Sequence, residues 1–561
     1  MKIFIYAVLA MCLGVAIGFY AGKRTRPPAP EAVTPPDELS LTVSSSASAT
    51  QYRTLSEIYA QIMQGSHNEA VEVVVQRPAE KGNPHAQYLM GDLYYNGYGT
   101  QKDFSVAAKW FEKAAKSGYA KAQTFFGMMN ERGDGMPVNE GTALNWYKQA
   151  AGKGEPLAQN IIAVKKETGQ LGEKNSSEAV ELMQKGSEQG DVRSQVNLGI
   201  MYERGNGVKR NYKEAVKWYT KAAKQEDSTA QLYLGLMYEQ GRGVRKNVAT
   251  AAKWYRKAAE QNDPQAQNNL GALYESGRGV RQSFIEAFKW YLKAAEHGDP
   301  KGQTNIGVLY ENGTGVAQDK DEALKWYKKA ADSGYGRAEV YLGIHEETRN
   351  LKEAMSWYEK ASAHGNAQAM NNLAAIYLEG RGGVPRNFNK ARALLERAAR
   401  KGFAKAQANL GQMYEKGAGM PKNQKKAAFW YEKAAEQGNA RCAIRLADMH
   451  MEGKGLPKDY MKAYEILYPI AENSGPNSQE AAQIIDLLQS KLNPKQMAEA
   501  GKRFKPLQIS RAAEPPTPAQ MAEEPPEKDS KPDNAASMNV RQDSNNQQDA
   551  GEDEEDGEDE E

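Results

Sequence analysis

The sequence predicts an all-α protein, a solenoid of helix–turn–helix units that repeat with a period of about 36 residues. Three observations predict it. All eight tryptophans stand on one ladder, Trp110, Trp146, Trp218, Trp254, Trp290, Trp326, Trp357 and Trp430, and most steps are 36 residues. A second ladder of small residues keeps the same register: Gly91, Gly127, Ala163, Gly199, Gly235, Gly271, Gly307, Gly343, Ala374, Gly411 and Ala447. Each interval also holds two stretches of helical periodicity separated by a glycine-rich turn. Leu182 fills the rung missing between Trp146 and Trp218, and Val74 and Ile466 extend the ladder at its ends. The step to Trp357 is five residues short because the loop around Glu346 to Asn350 is trimmed, and Leu394 falls one residue late because of the doubled Gly382-Gly383.

The elements follow in chain order. Ile3 to Gly22 is a run of 20 uncharged, mainly apolar residues. At about 1.5 Å per residue it can cross a bilayer core, so residues 1–22 are expected to form a transmembrane anchor. A cleaved signal peptide is the alternative, although no small-x-small site follows the run. Gly14, Gly18 and Gly22 form a stripe on which two such helices could dimerise. Lys2 and the α-amine precede the span, whereas Lys23, Arg24 and Arg26 follow it, so the positive charges favour a cytoplasmic body by one charge. Residues 23–50 read as a Pro/Ser-rich linker. Residues 51–491 are the solenoid, 492–510 a capping helix opened by Asn493-Pro494, and 511–561 a disordered acidic tail. From Ala512 to Glu561 there are 17 acidic and 3 basic side chains, so the tail carries −14 and the remainder +16.

Within a unit, Ala230, Leu234, Met237 and Tyr238 follow the i, i+4, i+7, i+8 spacing of a first helix. Gly241-Arg242-Gly243 turns the chain through left-handed conformations. Ala251, Trp254, Tyr255, Ala258 and Ala259 then mark a second helix. Asp263-Pro264 opens the next unit as an N-cap followed by a first-turn proline. The small residue should let the second helix approach, with the tryptophan filling the space between units and burying about 150–250 Å². On that reading Trp254→Ala costs about 3–5 kcal/mol.

Catalytic constellations are not found. The histidines, His67, His85, His297, His345, His364 and His450, have no partner at a metal-ligand spacing, and His345-Glu346-Glu347 has no histidine four residues on. His450 stands where sibling units have tyrosine, which suggests a packed ring. There is no phosphate loop, dinucleotide fingerprint or nucleophile elbow. Cys12 lies in the apolar run, and Cys442 occupies a slot filled by alanine elsewhere, so no disulfide framework is possible. The expectation is a protein without enzymatic activity, cofactor or metal. Lys217, Lys221 and Lys224 suggest a solvated outer face, and the net charge is too diluted for nucleic-acid binding.

Binding is the better prospect. Asn197, Asn269, Asn305, Asn372 and Asn409 recur just before the Leu-Gly step, and Gln231, Gln267 and Gln303 recur four residues before the small residue. If the first helices line a groove, these amides can clamp an extended partner, since each both donates and accepts. The alternative is that they bond the adjacent repeat or water.

The stretch Ala266-Gln267-Asn268-Asn269-Leu270-Gly271-Ala272-Leu273-Tyr274-Glu275-Ser276-Gly277-Arg278-Gly279-Val280, with Ala287-Phe288-Lys289-Trp290-Tyr291-Leu292-Lys293-Ala294-Ala295, resembles the Sel-1-like repeat family, relatives of the tetratricopeptide repeat. The resemblance spans about Tyr52 to Lys505. It implies a right-handed superhelix with a concave binding face, and an adaptor that assembles protein complexes. Bacterial members are frequently exported, which implies an inner-membrane protein with a periplasmic solenoid, against the charge count at the anchor. The family's cysteine-rich, β-lactam-binding branch is not implied, because its cysteines are missing here. The units around Ile162 to Leu182 and around Gly343 depart from the pattern.

Overall fold

The computed structural model describes residues 75–504, apart from 99, 474 and 476, together with two strand segments at 41–42 and 52–53. The expected anchor (1–22), its Gly14, Gly18 and Gly22 stripe, most of the linker, Val74 and the acidic tail (511–561) lie outside the described residues. Among those described, 25 helices run from Arg77 to Arg503. The single departure from all-α is a two-residue antiparallel pairing, Leu41 with Arg53 and Thr42 with Tyr52, where a linker and the start of the solenoid were expected. Thr and Tyr favour extended backbone. No described helix is long and apolar enough to cross a membrane.

The chain forms two compact units, one up to Gln437 and one from Gly438. In the first unit, helix pairs repeat from Pro84–Asn96 with Phe104–Lys116 to Ala404–Lys416 with Gln424–Ala435. Local chemistry fixes their ends. Asp263 accepts from the Ala266 amide and Pro264 opens the helix Pro264–Ser276, which stops at left-handed Gly277. Asn247 caps the second helix Val248–Glu260 in the same manner. Gly279, also left-handed, must be glycine, because a Cβ there would lie 2.5 Å from the Val248 backbone of the preceding unit.

The packing corrects the expected role of tryptophan. Only Trp218 and Trp326 are buried; the other six indoles are half-buried. The fully enclosed position is the next one along: Phe111, Tyr147, Tyr219, Tyr255, Tyr291, Tyr327 and Tyr358 are among the largest fully buried side chains. Each ring packs against the small residue of its first helix, and a Cβ on Gly271 would stand 2.7 Å from Tyr291 Cδ1. The three units with alanine at that step carry an aliphatic side chain instead of a ring. Ala163, Ala374 and Ala447 are followed twenty or twenty-one residues later by buried Met183, Leu395 and Leu467. The extra methyl leaves no room for an aromatic.

The indoles face backward. Trp254 packs on a cluster made of Val196 and Ile200, Ala215 to Ala223, and Ala230 to Met237, which spans three helices of the preceding segment. Trp290 packs likewise on the cluster from Leu232 to Leu273. Six of the eight rings are covered by the lysine one turn on, as with Lys257 at 4.9 Å and Lys293 at 4.3 Å from the ring centroids. Neighbouring first helices also touch directly, Pro156–Glu167 with Val192–Arg204 and Pro264–Ser276 with Pro300–Asn312.

In the second unit, Ala440–Glu452, Tyr460–Glu472 and Ser478–Gln489 enclose Ile444, Leu467, Ile485 and Leu488. The expected cap is the helix Pro494–Arg503, opened by a reciprocal Asn493–Gln496 capping box. It is not wholly polar: Ala500 is buried, and Phe504 packs 4.6 Å from the Tyr468 ring.

Candidate functional site

Two ladders of buried polar groups stiffen the first unit and decide which amides remain available. The first joins helix to helix within a unit. Tyr291 Oη donates to Glu275 at 2.6 Å, and the bond recurs as Tyr219–Glu203, Tyr255–Glu239, Tyr327–Glu311 and Tyr358–Glu347. Burial, reinforced by the carboxylate, holds the Tyr291 hydroxyl far above the ordinary phenol range, so it stays a donor. Several of these carboxylates also meet a cation of a later segment, as Glu239 meets Arg278 at 3.2 Å and Glu347 meets Arg381 at 2.8 Å.

The second ladder joins unit to unit and consists of the glutamines singled out above. Gln231, Gln267 and Gln303 are buried. Each donates from Nε2 to the carbonyl eight residues back, at the end of the preceding second helix: Ala223, Ala259 and Ala295. Gln231 also accepts from Gln261, and Gln267 contacts His297. These amides are engaged inside the solenoid, as staples between units.

The asparagines stand one step further round the helix and are half-buried. Asn197, Asn305 and Asn409 donate to Asn160, Asn268 and Asn371 of the preceding first helix at 2.8–2.9 Å. Asn269 and Asn372 bond the Tyr255 and Tyr358 hydroxyls. Each therefore has a structural bond and keeps an edge toward the open face of its helix. In the same slot, Tyr233 lies parallel to Tyr219 at 5.1 Å and Tyr341 to Tyr327 at 4.8 Å. Four successive first helices thus present the column Tyr233, Asn269, Asn305, Tyr341, with Arg337 reaching Asn305 Oδ1 at 3.4 Å. One turn on from Tyr341, Ile344 is 42 % exposed. Reading the asparagines alone missed the two tyrosines, although a 36-residue step from Asn269 and Asn305 leads to both.

Other candidates have local roles. Lys217 pairs with Glu214, and Lys221 covers Trp218 at 4.2 Å, on the exposed side of the second helices. His450 is half-buried against Pro457. Cys442 is buried, and burial pushes its thiol up to about 11. Among the described residues, no three His, Cys, Asp or Glu side chains are placed to hold a metal ion.

Comparison with known proteins places this architecture. The Sel1 repeat model matches residues 84–119, 120–155, 156–191, 192–227, 228–263, 264–299, 300–335, 338–366, 367–403, 404–439 and 440–474. Among solved structures, the chain is similar to a protective antigen present in uropathogenic Escherichia coli strains that displays an SLR fold. The two are 33 % identical, over 78 % of this chain and 93 % of the other, with a TM-score of 0.52. A Sel1 repeat protein from Oxalobacter formigenes is 35 % identical over 43 % of this chain and 96 % of its own, with a TM-score of 0.40. No curated protein sequence matches the chain. Sel1 repeat proteins are generally protein-interaction scaffolds and typically non-catalytic. With eleven repeats matched over most of its length, the chain belongs to the Sel1 repeat family.

Proposed function

We propose that this chain holds partner proteins along the face of its first helices, which we take to be the concave one, and acts as a scaffold without chemistry of its own. The observation that carries this reading is the half-buried column Tyr233, Asn269, Asn305, Tyr341. Two rings stacked on buried tyrosines are rigid anchors of the kind enriched at interfaces. The asparagines between them, held by their neighbours, can meet a backbone without reading its sequence. Asn197, Asn372 and Asn409 extend the same slot. The glutamines fall outside the contact surface, because they are buried in the unit–unit staples. The test is crosslinking and capture from membranes with the parent chain and a Tyr233→Ala, Tyr341→Ala double variant. Loss of specific captured proteins at unchanged circular dichroism supports the reading; an unchanged capture profile overturns it.

The proposal further places the solenoid at the bacterial envelope, tethered by residues 3–22, with the periplasmic side favoured by the habit of exported bacterial Sel1 proteins. A cytoplasm-facing adaptor is the second reading, favoured by Lys23, Arg24 and Arg26 after the apolar run. A reporter fused at the C-terminus separates the two, because phosphatase-type reporters are active only after export.

A further inference from the structure

At the staple position two first helices carry an apolar residue, Met370 and Ala443, and one carries a charge. In the regular joints the first-helix residue is a neutral glutamine: Gln195 donates to Ser187, Gln231 to Ala223, Gln267 to Ala259 and Gln303 to Ala295. In the next first helix, Gly336–Glu346, the same position is Glu339. Its side chain is only 2 % exposed, and an ionised carboxylate has no N–H to give to the preceding carbonyl. Its partner is His364, whose Nδ1 lies 2.9 Å away and which is 48 % exposed. His364 holds the slot that His297 holds two units earlier, where Nδ1 meets neutral Gln267 at 3.2 Å. The same molecule therefore contains one His–Gln joint and one His–Glu joint.

A buried carboxylate is tolerable when a cation or a donor compensates it. Protonated imidazole supplies a full charge; neutral imidazole supplies one N–H at most. Among the charged or titratable groups on the packed elements, those within four residues of Glu339 or of the Ala331 carbonyl include Lys329 and Asp332 on the preceding second helix, Tyr335 in the turn and Arg337 on the same helix as Glu339. Lys360 lies on the helix that ends at His364. From the following unit, Arg397 donates to the Ser362 carbonyl at 3.4 Å, and Lys401 closes on Gly365.

We propose that the Glu339–His364 pair is a pH-responsive joint in the solenoid, tight when His364 is protonated and loosened when it is neutral. The inference concerns the joint alone and holds whatever the scaffold carries.

Native-state amide exchange of the full chain, at about pH 5.5 and about pH 8 and corrected for intrinsic rates, tests this. Opening of residues 336–366 should rise by about tenfold between the two, the loss of roughly one charge-assisted hydrogen bond. Residues 264–297, with the His–Gln joint, should show no such rise. Glu339→Gln, which restores the regular residue, should abolish the difference and protect the segment at the higher pH. His364→Gln with Glu339 kept should leave the segment poorly protected at both. Equal pH responses at the two joints in the parent, or a difference that survives Glu339→Gln, overturns the proposal.

Discussion

Replacing Gly271 by alanine tests the packing rule most directly. In an exposed helix the added methyl would stabilise by about 0.5–1 kcal/mol. Here it would stand 2.7 and 2.8 Å from Tyr291 Cδ1 and Cε1, inside van der Waals contact with a ring that is 1 % exposed. Forcing volume into a filled core costs about 1–3 kcal/mol, so Gly271→Ala should destabilise by about 0.5–2 kcal/mol. Tyr291→Leu removes the ring and its bond to Glu275, and should cost about 2–4 kcal/mol alone. Together the two changes recreate the Ala374–Leu395 pairing already present in this chain. The double variant should therefore be about 1–3 kcal/mol more stable than the sum of the single effects. The assay is urea denaturation followed by far-UV circular dichroism, with the shift of the midpoint compared across the four proteins. Strict additivity would refute the claim that the methyl and the ring compete for one volume.

Other perturbations follow from the same geometry. Tyr255→Ala should lower the urea midpoint more than Trp254→Ala, by about 3–4 against about 1–2 kcal/mol, because the indole is only half-buried; the reverse order would restore tryptophan as the principal core residue. Burial pushes the Asp92 carboxyl up to about 6, partly offset by a hydrogen bond from Asn96. The unfolded chain loses that proton near pH 4 and the native chain only near 6, so a penalty builds across that window and is complete above it. Asp92→Asn should therefore stabilise the protein at neutral pH by about 1–3 kcal/mol and have little effect below about pH 4, as read from melting temperatures against pH. Cys442 should react with alkylating reagents at pH 8 far more slowly than a free thiol, and reach the full rate only in denaturant, as followed by mass spectrometry. Asn269→Ala with Asn305→Ala should lower partner capture more than melting temperature; a large fall in melting temperature with capture per folded molecule unchanged would assign those amides to structure alone.

The repeat itself was legible because a 36-residue step is a statement about spacing, and spacing survives in sequence. Helix ends were legible for the same reason: Asp263-Pro264 and Gly277 have few other uses. What spacing does not carry is direction. Trp254 and Tyr255 are adjacent, both large and both periodic, and nothing in their order tells which faces Gly235 and which faces the previous unit. The glutamine staples were hidden differently. Gln267 binds a carbonyl eight residues back, on another helix, so its partner is backbone and leaves no side-chain signature. The column of asparagines was visible, but its tyrosines were not, because a clamp was sought by residue type, not by slot. Glu339 is the reverse case: the break from glutamine is plain in the sequence, and only its burial gives it meaning.

The backward-facing indoles set the chain's natural seams out of phase with its repeat. Trp254 is encoded with one helix pair and completes the enclosure of the pair before it. A truncation made at a repeat boundary, such as after Asp227 or Asp263, strips the last cluster of its lid and leaves apolar side chains wet. Shortened versions of this array should behave well only when an extra Trp-bearing helix is retained past the last repeat wanted, or when a polar substitute is grafted in its place, so the smallest stable fragment is longer than its count of repeats implies.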